Sequence, residues 1–153
     1  MTKLETLYEF AHEVGIDMIH QQFSDTKKAA CLHLKPDKLI VLDKPAMDSP
    51  GEEVSILSEE VGHFETNALY VIEATHNTPI ARSNRIKYEA KAKHWAYRMW
   101  LQPGEVEEAV QKYGGYGATA VAEHCNVTVE FLHSAIAYYR ACGVAFSFDW
   151  CHE

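Results

Sequence analysis

Glu59, Glu60 and His63 fall within one short stretch, "LSEEVGH", and their types and spacing suit metal-assisted hydrolysis. On a helix, residues four apart lie one turn above each other on the same face, so the Glu59 carboxylate and the His63 imidazole can converge on one ion. Glu60 is the next residue round, placed to take a proton from a water held there. In the HExxH pattern two histidines at i and i+4 bind zinc and the glutamate beside the first acts as base. Here a carboxylate stands at the first ligand position. A carboxylate oxygen is a legitimate zinc ligand, with bonds of about 2.0 to 2.2 Å. It donates more charge, weakens the ion as a Lewis acid, and moves preference towards harder ions such as manganese.

A further ligand is expected from a second helix. Glu89, Ala92, Ala96 and Met99 recur at three-and-four spacing, so an acid sits in what reads as a core-facing stripe. A buried carboxylate is costly unless a cation or a metal partners it. The plain alternative is an ion pair with Arg85, one turn earlier. Alanines at 92 and 96 thin this helix and Gly62 thins the first, so the two can approach closely.

The elements that must position these groups are legible in outline. Leu4, Leu7, Tyr8 and Ala11 form one stripe of a helix over Lys3–Glu13, stopped by Gly15. "IDMIH" reads as a strand, and "AACLHLKPDKLIVLD" as a hairpin around a Lys-Pro-Asp-Lys turn. Ser49 as N-cap, Pro50 at the first helical position and Glu52 closing a capping box start the motif helix. Its apolar stripe is Val54, Leu57, Val61 and Phe64. Residues 67–81, with a Thr-Pro turn, read as a connecting loop before a long helix from about Asn84 to Leu101. "GEVEEAVQKYG", "ATAVAEHC" and "TVEFLHSAIAYYRACG" have helical spacing, and Phe146, Phe148 and Trp150 make the C-terminus too apolar to hang free. The expectation is an α+β protein. Residues 1–102 carry a small antiparallel or mixed sheet of about three strands packed on the site-bearing helices, and residues 103–153 form a helical segment against it.

Composition sets limits. With 153 residues, 47 % hydrophobic and 24 % charged, the chain is globular and neither disordered nor fibrous. A net charge of −8 disfavours a general nucleic-acid binder. Locally the balance inverts: Arg82, Arg85, Lys87, Lys91, Lys93 and Arg98 surround the single acid Glu89, which reads as a solvated helix face. The C-terminal helices have helix-turn-helix proportions, but residues 103–140 offer only Lys112 and Arg140 beside five glutamates, so DNA contact is disfavoured. Cys31, Cys125, Cys142 and Cys151 lack CxxC spacing and read as buried, reduced thiols. No secretory signal pattern opens the chain and no apolar run spans a membrane, so a cytoplasmic location is expected.

Taken together, "LSEEVGH" and the later "YEAKAKHWAYRMWLQP" resemble the ImmA/IrrE family of zinc metallopeptidases, in which a HExxH helix is followed by one reading roughly E-x-x-A-x-x-W/F-A and ending near proline. Glu89, Ala92, Trp95, Ala96 and Pro103 are in step with that pattern. "VGIDMIH" and "LIVLD" look like the family's N-terminal sheet, and "AVAEHCNVTVEFLHSAIAYYR" like the helical segment that often follows. The resemblance implies a zincin-like core, with His63 and Glu89 as ligands of Zn2+ (or Mn2+ or another divalent ion), Glu59 at the first ligand's position and Glu60 as general base. It implies a protein partner, a phage or mobile-element repressor cleaved inside the cell, with an edge strand from residues 30–43 pairing with the extended substrate. His94 and His76 are candidates for stabilising the oxyanion, and His76 for a substitute ligand. Two alternatives stand beside this reading: a family member that binds its repressor without cutting it, and a helix-turn-helix regulator.

Overall fold

The computed structural model describes residues 1–34, 36–68 and 78–150. Among them the chain is α+β, with six α-helices and one three-stranded mixed sheet. Helix α1 (Lys3–Glu13) is started by Thr2, whose hydroxyl accepts from the Glu5 N–H while the Glu5 carboxylate accepts from the Thr2 N–H. Its expected stripe is buried at Leu7 and Ala11. Gly15, at φ +79°, supplies the left-handed turn into the sheet.

Strands β1 (Ile16–His20), β2 (Ala29–Leu34) and β3 (Asp37–Leu42) lie in the order β1-β3-β2. β2 and β3 form the antiparallel hairpin, Cys31 opposite Ile40, while β1 runs parallel to β3 with Met18 opposite Ile40. β3 is therefore the central strand and its Ile40, Val41 and Leu42 are buried. Only the 29–34 part of the stretch expected to offer a free edge actually does so, because β3 is paired on both sides.

Helix α2 (Pro50–Glu65) begins as expected, with the Ser49 hydroxyl accepting from the Glu52 N–H at 3.1 Å. The capping box does not close. The Glu52 carboxylate instead accepts from the Asp48 N–H at 2.6 Å and pairs with Lys28, a cation contributed from ahead of β2 that no local pattern announces. Val54, Leu57 and Val61 are fully buried and Phe64 nearly so. Burying each such side chain contributes about 1.5 to 3 kcal/mol.

Helix α3 (Pro79–Trp100) starts five residues before the expected Asn84. Thr78 and Pro79 are its cap and first position, the Thr78 hydroxyl accepting from the Ala81 N–H at 3.1 Å, so they form no separate turn. Nearly every residue from 79 to 87 is exposed, so this first part carries no apolar stripe for periodicity to find. Ala92 and Ala96 are buried, but Met99 is 44 % exposed and Tyr97 and Trp100 take over the core face.

Helices α4 (Pro103–Tyr113), α5 (Ala118–Cys125) and α6 (Val129–Ala141) follow. Asn126, in the left-handed conformation at φ 56°, turns α5 towards α6. Val106, Val121 and Leu132 belong to the same hydrophobic cluster as Leu7, Val54 and Leu57, so one core spans both segments of the chain. The α5–α6 turn is tied to α2: the Thr128 N–H donates to Ser55 Oγ at 3.0 Å, and a Cβ on Gly51 would lie 3.1 Å from the Val127 backbone. Phe146, Phe148 and Trp150 pack on the core, and Arg140 donates to the Phe148 and Trp150 carbonyls, which holds the C-terminal strap down. No described helix is long and apolar enough to cross a membrane.

Candidate metal centre

The close approach of α2 and α3 builds the site. An ideal Cβ on Gly62 would stand 2.5 Å from the Ala92 carbonyl oxygen and 3.1 Å from the Trp95 ring, a separation no larger residue tolerates. With the helices this near, Glu89 on α3 faces the turn of α2 that carries Glu59 and His63. One ligand atom from each of Glu59, His63 and Glu89 lies within 4.8 Å of the other two. The expected convergence is therefore present, with His63 buried and both carboxylates half-buried.

The histidine is pre-oriented. His63 Nδ1 lies 2.7 Å from the Ala68 carbonyl. A carbonyl only accepts, so Nδ1 carries a proton, and in the neutral ring Nε2 keeps a lone pair facing the cluster. That nitrogen is 3.6 Å from Glu89 Oε1. Such an outer hydrogen bond fixes the tautomer and ring direction that a metal-binding histidine needs.

The electrostatics describe a site short of positive charge. Burial, then hydrogen bonding to Glu89 and the charges of Glu89 and Glu60, push the Glu59 carboxyl up to about 8, against an opposing pull from Lys93. Burial chiefly raises Glu60 as well, with Glu89 adding to it and His63 and the Cys31 thiol acting the other way. For His63, burial alone favours the neutral ring, but Glu89, the Ala68 carbonyl and Glu60 outweigh it and raise the pKa. Glu59 and Glu60 thus hold their protons more tightly than free carboxyls do, which a divalent cation bound beside them would oppose. Two carboxylates and one imidazole are three donors of the types that zinc accepts, and three protein ligands leave a position for water. By donor chemistry and by charge the residues fit such an ion.

Glu60 lies beside this cluster, and the Cys31 thiol of β2 is near enough to act on its carboxyl. That cysteine was expected to be an inert buried thiol. It is half-buried at the site, its own pKa raised by burial, then by the charge and hydrogen bond of Glu60. Two residues on, His33 sets its ring edge-on to Phe64 of α2, 6.1 Å between centroids, so one face of β2 runs along the site helix. Cys125 is buried as expected, whereas Cys142 is exposed. His94 is not one of the three converging residues: its ring stacks on Tyr138 at 4.2 Å. His76, like Cys151, lies outside the described residues.

The chain matches no family model, no curated protein and no solved structure.

Proposed function

We propose that this protein is a metal-dependent endopeptidase of the ImmA/IrrE type with a zincin-like core, acting inside the cell on a repressor encoded by a phage or mobile element. The observation that carries the reading is the meeting of Glu59, His63 and Glu89 within 4.8 Å with Glu60 alongside. Glu59, His63 and Glu89 would hold the ion, zinc or a harder divalent cation. When bound it would supply Lewis acidity to a peptide carbonyl and to water. Glu60 would accept the proton from the attacking water and pass it to the leaving amine, and burial, by raising its pKa, makes it a stronger base than a free carboxylate. The exposed edge of β2, with Cys31 and His33 along the site helix, would pair with an extended substrate and hold its scissile bond over the cluster.

A second reading, a repressor-binding module with little or no turnover, draws on the donor set. Two carboxylates in place of a His-rich set make a bound ion a weaker acid. DNA binding has less support: the turn between α5 and α6 is fastened to α2 through Thr128 and Val127, and α6 opens with Val129 and Glu130. The deciding experiment is incubation of the zinc-loaded chain with a mixed pool of unstructured peptides, read by mass spectrometry. The expected result is internal cleavage by the wild type and at least a ~100-fold loss in Glu60→Gln, the scale of removing a general base. Zinc retention without cleavage by either protein would favour the binding module.

A further inference from the structure

All six cations of the basic stretch are exposed, as a solvated face requires, and three of them, Arg82, Arg85 and Lys93, also line a groove. A cavity of about 930 Å³ lies between α3 and α6, with Arg82, Arg85 and Lys93 on one wall and Tyr97 and Tyr138 among its aromatic residues. It is continuous with the metal centre, because Glu89 lines it and the Lys93 ammonium acts directly on the Glu59 carboxyl. Its far wall is held firmly: Arg98 donates to the Tyr138 hydroxyl at 2.7 Å, and the Tyr139 hydroxyl donates to the Tyr97 carbonyl at 2.9 Å.

The geometry points to this groove as the subsite for acidic residues of the peptide substrate, flanking the bond presented at the metal centre. The inference rests on the peptidase reading of that centre and adds the substrate's chemical class. In a chain of net charge −8, a concentration of cations in one concave surface attracts an acidic segment there while the remaining surface repels it. The tyrosine walls suit an aliphatic or aromatic side chain next to the acid, since their rings offer apolar faces. A peptide is favoured over a nucleic acid because the exposed cations of this region are confined to α3, three of them in one short groove, while among the described residues of α4–α6 beyond it glutamates predominate.

The test is fluorescence anisotropy with the full-length Glu60→Gln chain, metal-free and zinc-loaded, so that turnover does not consume the probe. The probes are short labelled peptides of equal apolar content carrying acidic residues, the same peptides with lysines in their place, and a mixed-sequence DNA duplex. The acidic peptides should bind about tenfold more tightly than the basic ones, with the preference shrinking severalfold in Arg82→Glu and in Lys93→Ala and eroding with salt. Equal affinity for the two peptide sets, a preference that survives both substitutions, or tighter binding of the duplex overturns the assignment. Zinc content measured on the same samples separates this inference from the one beneath it. Bound zinc without charge preference defeats the groove alone, whereas charge preference in a chain that binds no zinc supports the groove and defeats the metallopeptidase.

Discussion

Gly62→Ala tests whether helix spacing sets the metal centre. The added methyl would begin 2.5 Å from the Ala92 carbonyl oxygen, and real Cβ atoms essentially never come closer than 3.0 Å, so the two helices must part by at least about half an ångström. The obstacle is α3 backbone, which cannot swing aside without giving up helical hydrogen bonds. Replacing glycine inside a helix gains about 1 kcal/mol of propensity, and overpacking costs about 1 to 3 kcal/mol, so the net change is a loss of up to about 2 kcal/mol. For a chain of this length that lowers Tm by up to about 8 °C. The metal should suffer more. Ligand distances tolerate only about 0.2 Å, so displacing Glu89 with its helix should weaken zinc binding by about 10- to 100-fold. Thermal unfolding with and without zinc, beside a competitive zinc titration, reads both effects. Gly104→Ala, where an added Cβ meets nothing within 4 Å, is the control. If Gly62→Ala kept wild-type zinc affinity, close helix approach would not be what assembles the site.

The raised pKa values of Glu59, Glu60 and His63 share one sign. Each group binds its proton more tightly in the fold, so its stabilisation is complete below the unfolded pKa and is lost as pH rises through the folded one. The metal-free protein should therefore lose on the order of 2 kcal/mol between about pH 5 and 8, seen as a falling Tm, and zinc should restore it increasingly as pH rises. A metal-free Tm that climbed across that window would contradict the assigned environments. Cys31→Ala removes a thiol that lowers the Glu60 pKa, so, if the zinc-loaded chain hydrolyses peptides as proposed, the acidic limb of its pH–rate profile should move upward while the fold persists. An unmoved limb would mean that the thiol does not tune the base.

What was legible in the sequence was what local rules govern. The Val54–Phe64 stripe, the hairpin and the Ser49 cap depend on spacing and turn chemistry within a few residues, and each is found in place. The convergence of Glu59, His63 and Glu89 was readable because i, i+4 spacing fixes two of the groups and the small residues Gly62 and Ala92 let the other helix near. The first turns of α3 were missed because exposed residues carry no periodicity, and the Thr78–Pro79 pair starts helices as readily as it makes turns. Cys31 beside Glu60, Lys28 on Glu52 and the cation-lined groove were missed because each joins elements far apart in the chain. The i, i+2 pair Cys31 and His33, on one face of a strand beside the motif helix, was the available signal for the first of them.

The central claim is that three side chains from two helices form one metal site. It is tested most directly by elemental analysis of the purified wild type, His63→Ala and Glu89→Ala after equal exposure to zinc and gel filtration. The prediction is one tightly held ion per wild-type chain and loss of nearly all of it in both variants, with circular dichroism confirming that each stays folded. Equal metal in all three, or none in the wild type, would contradict the claim.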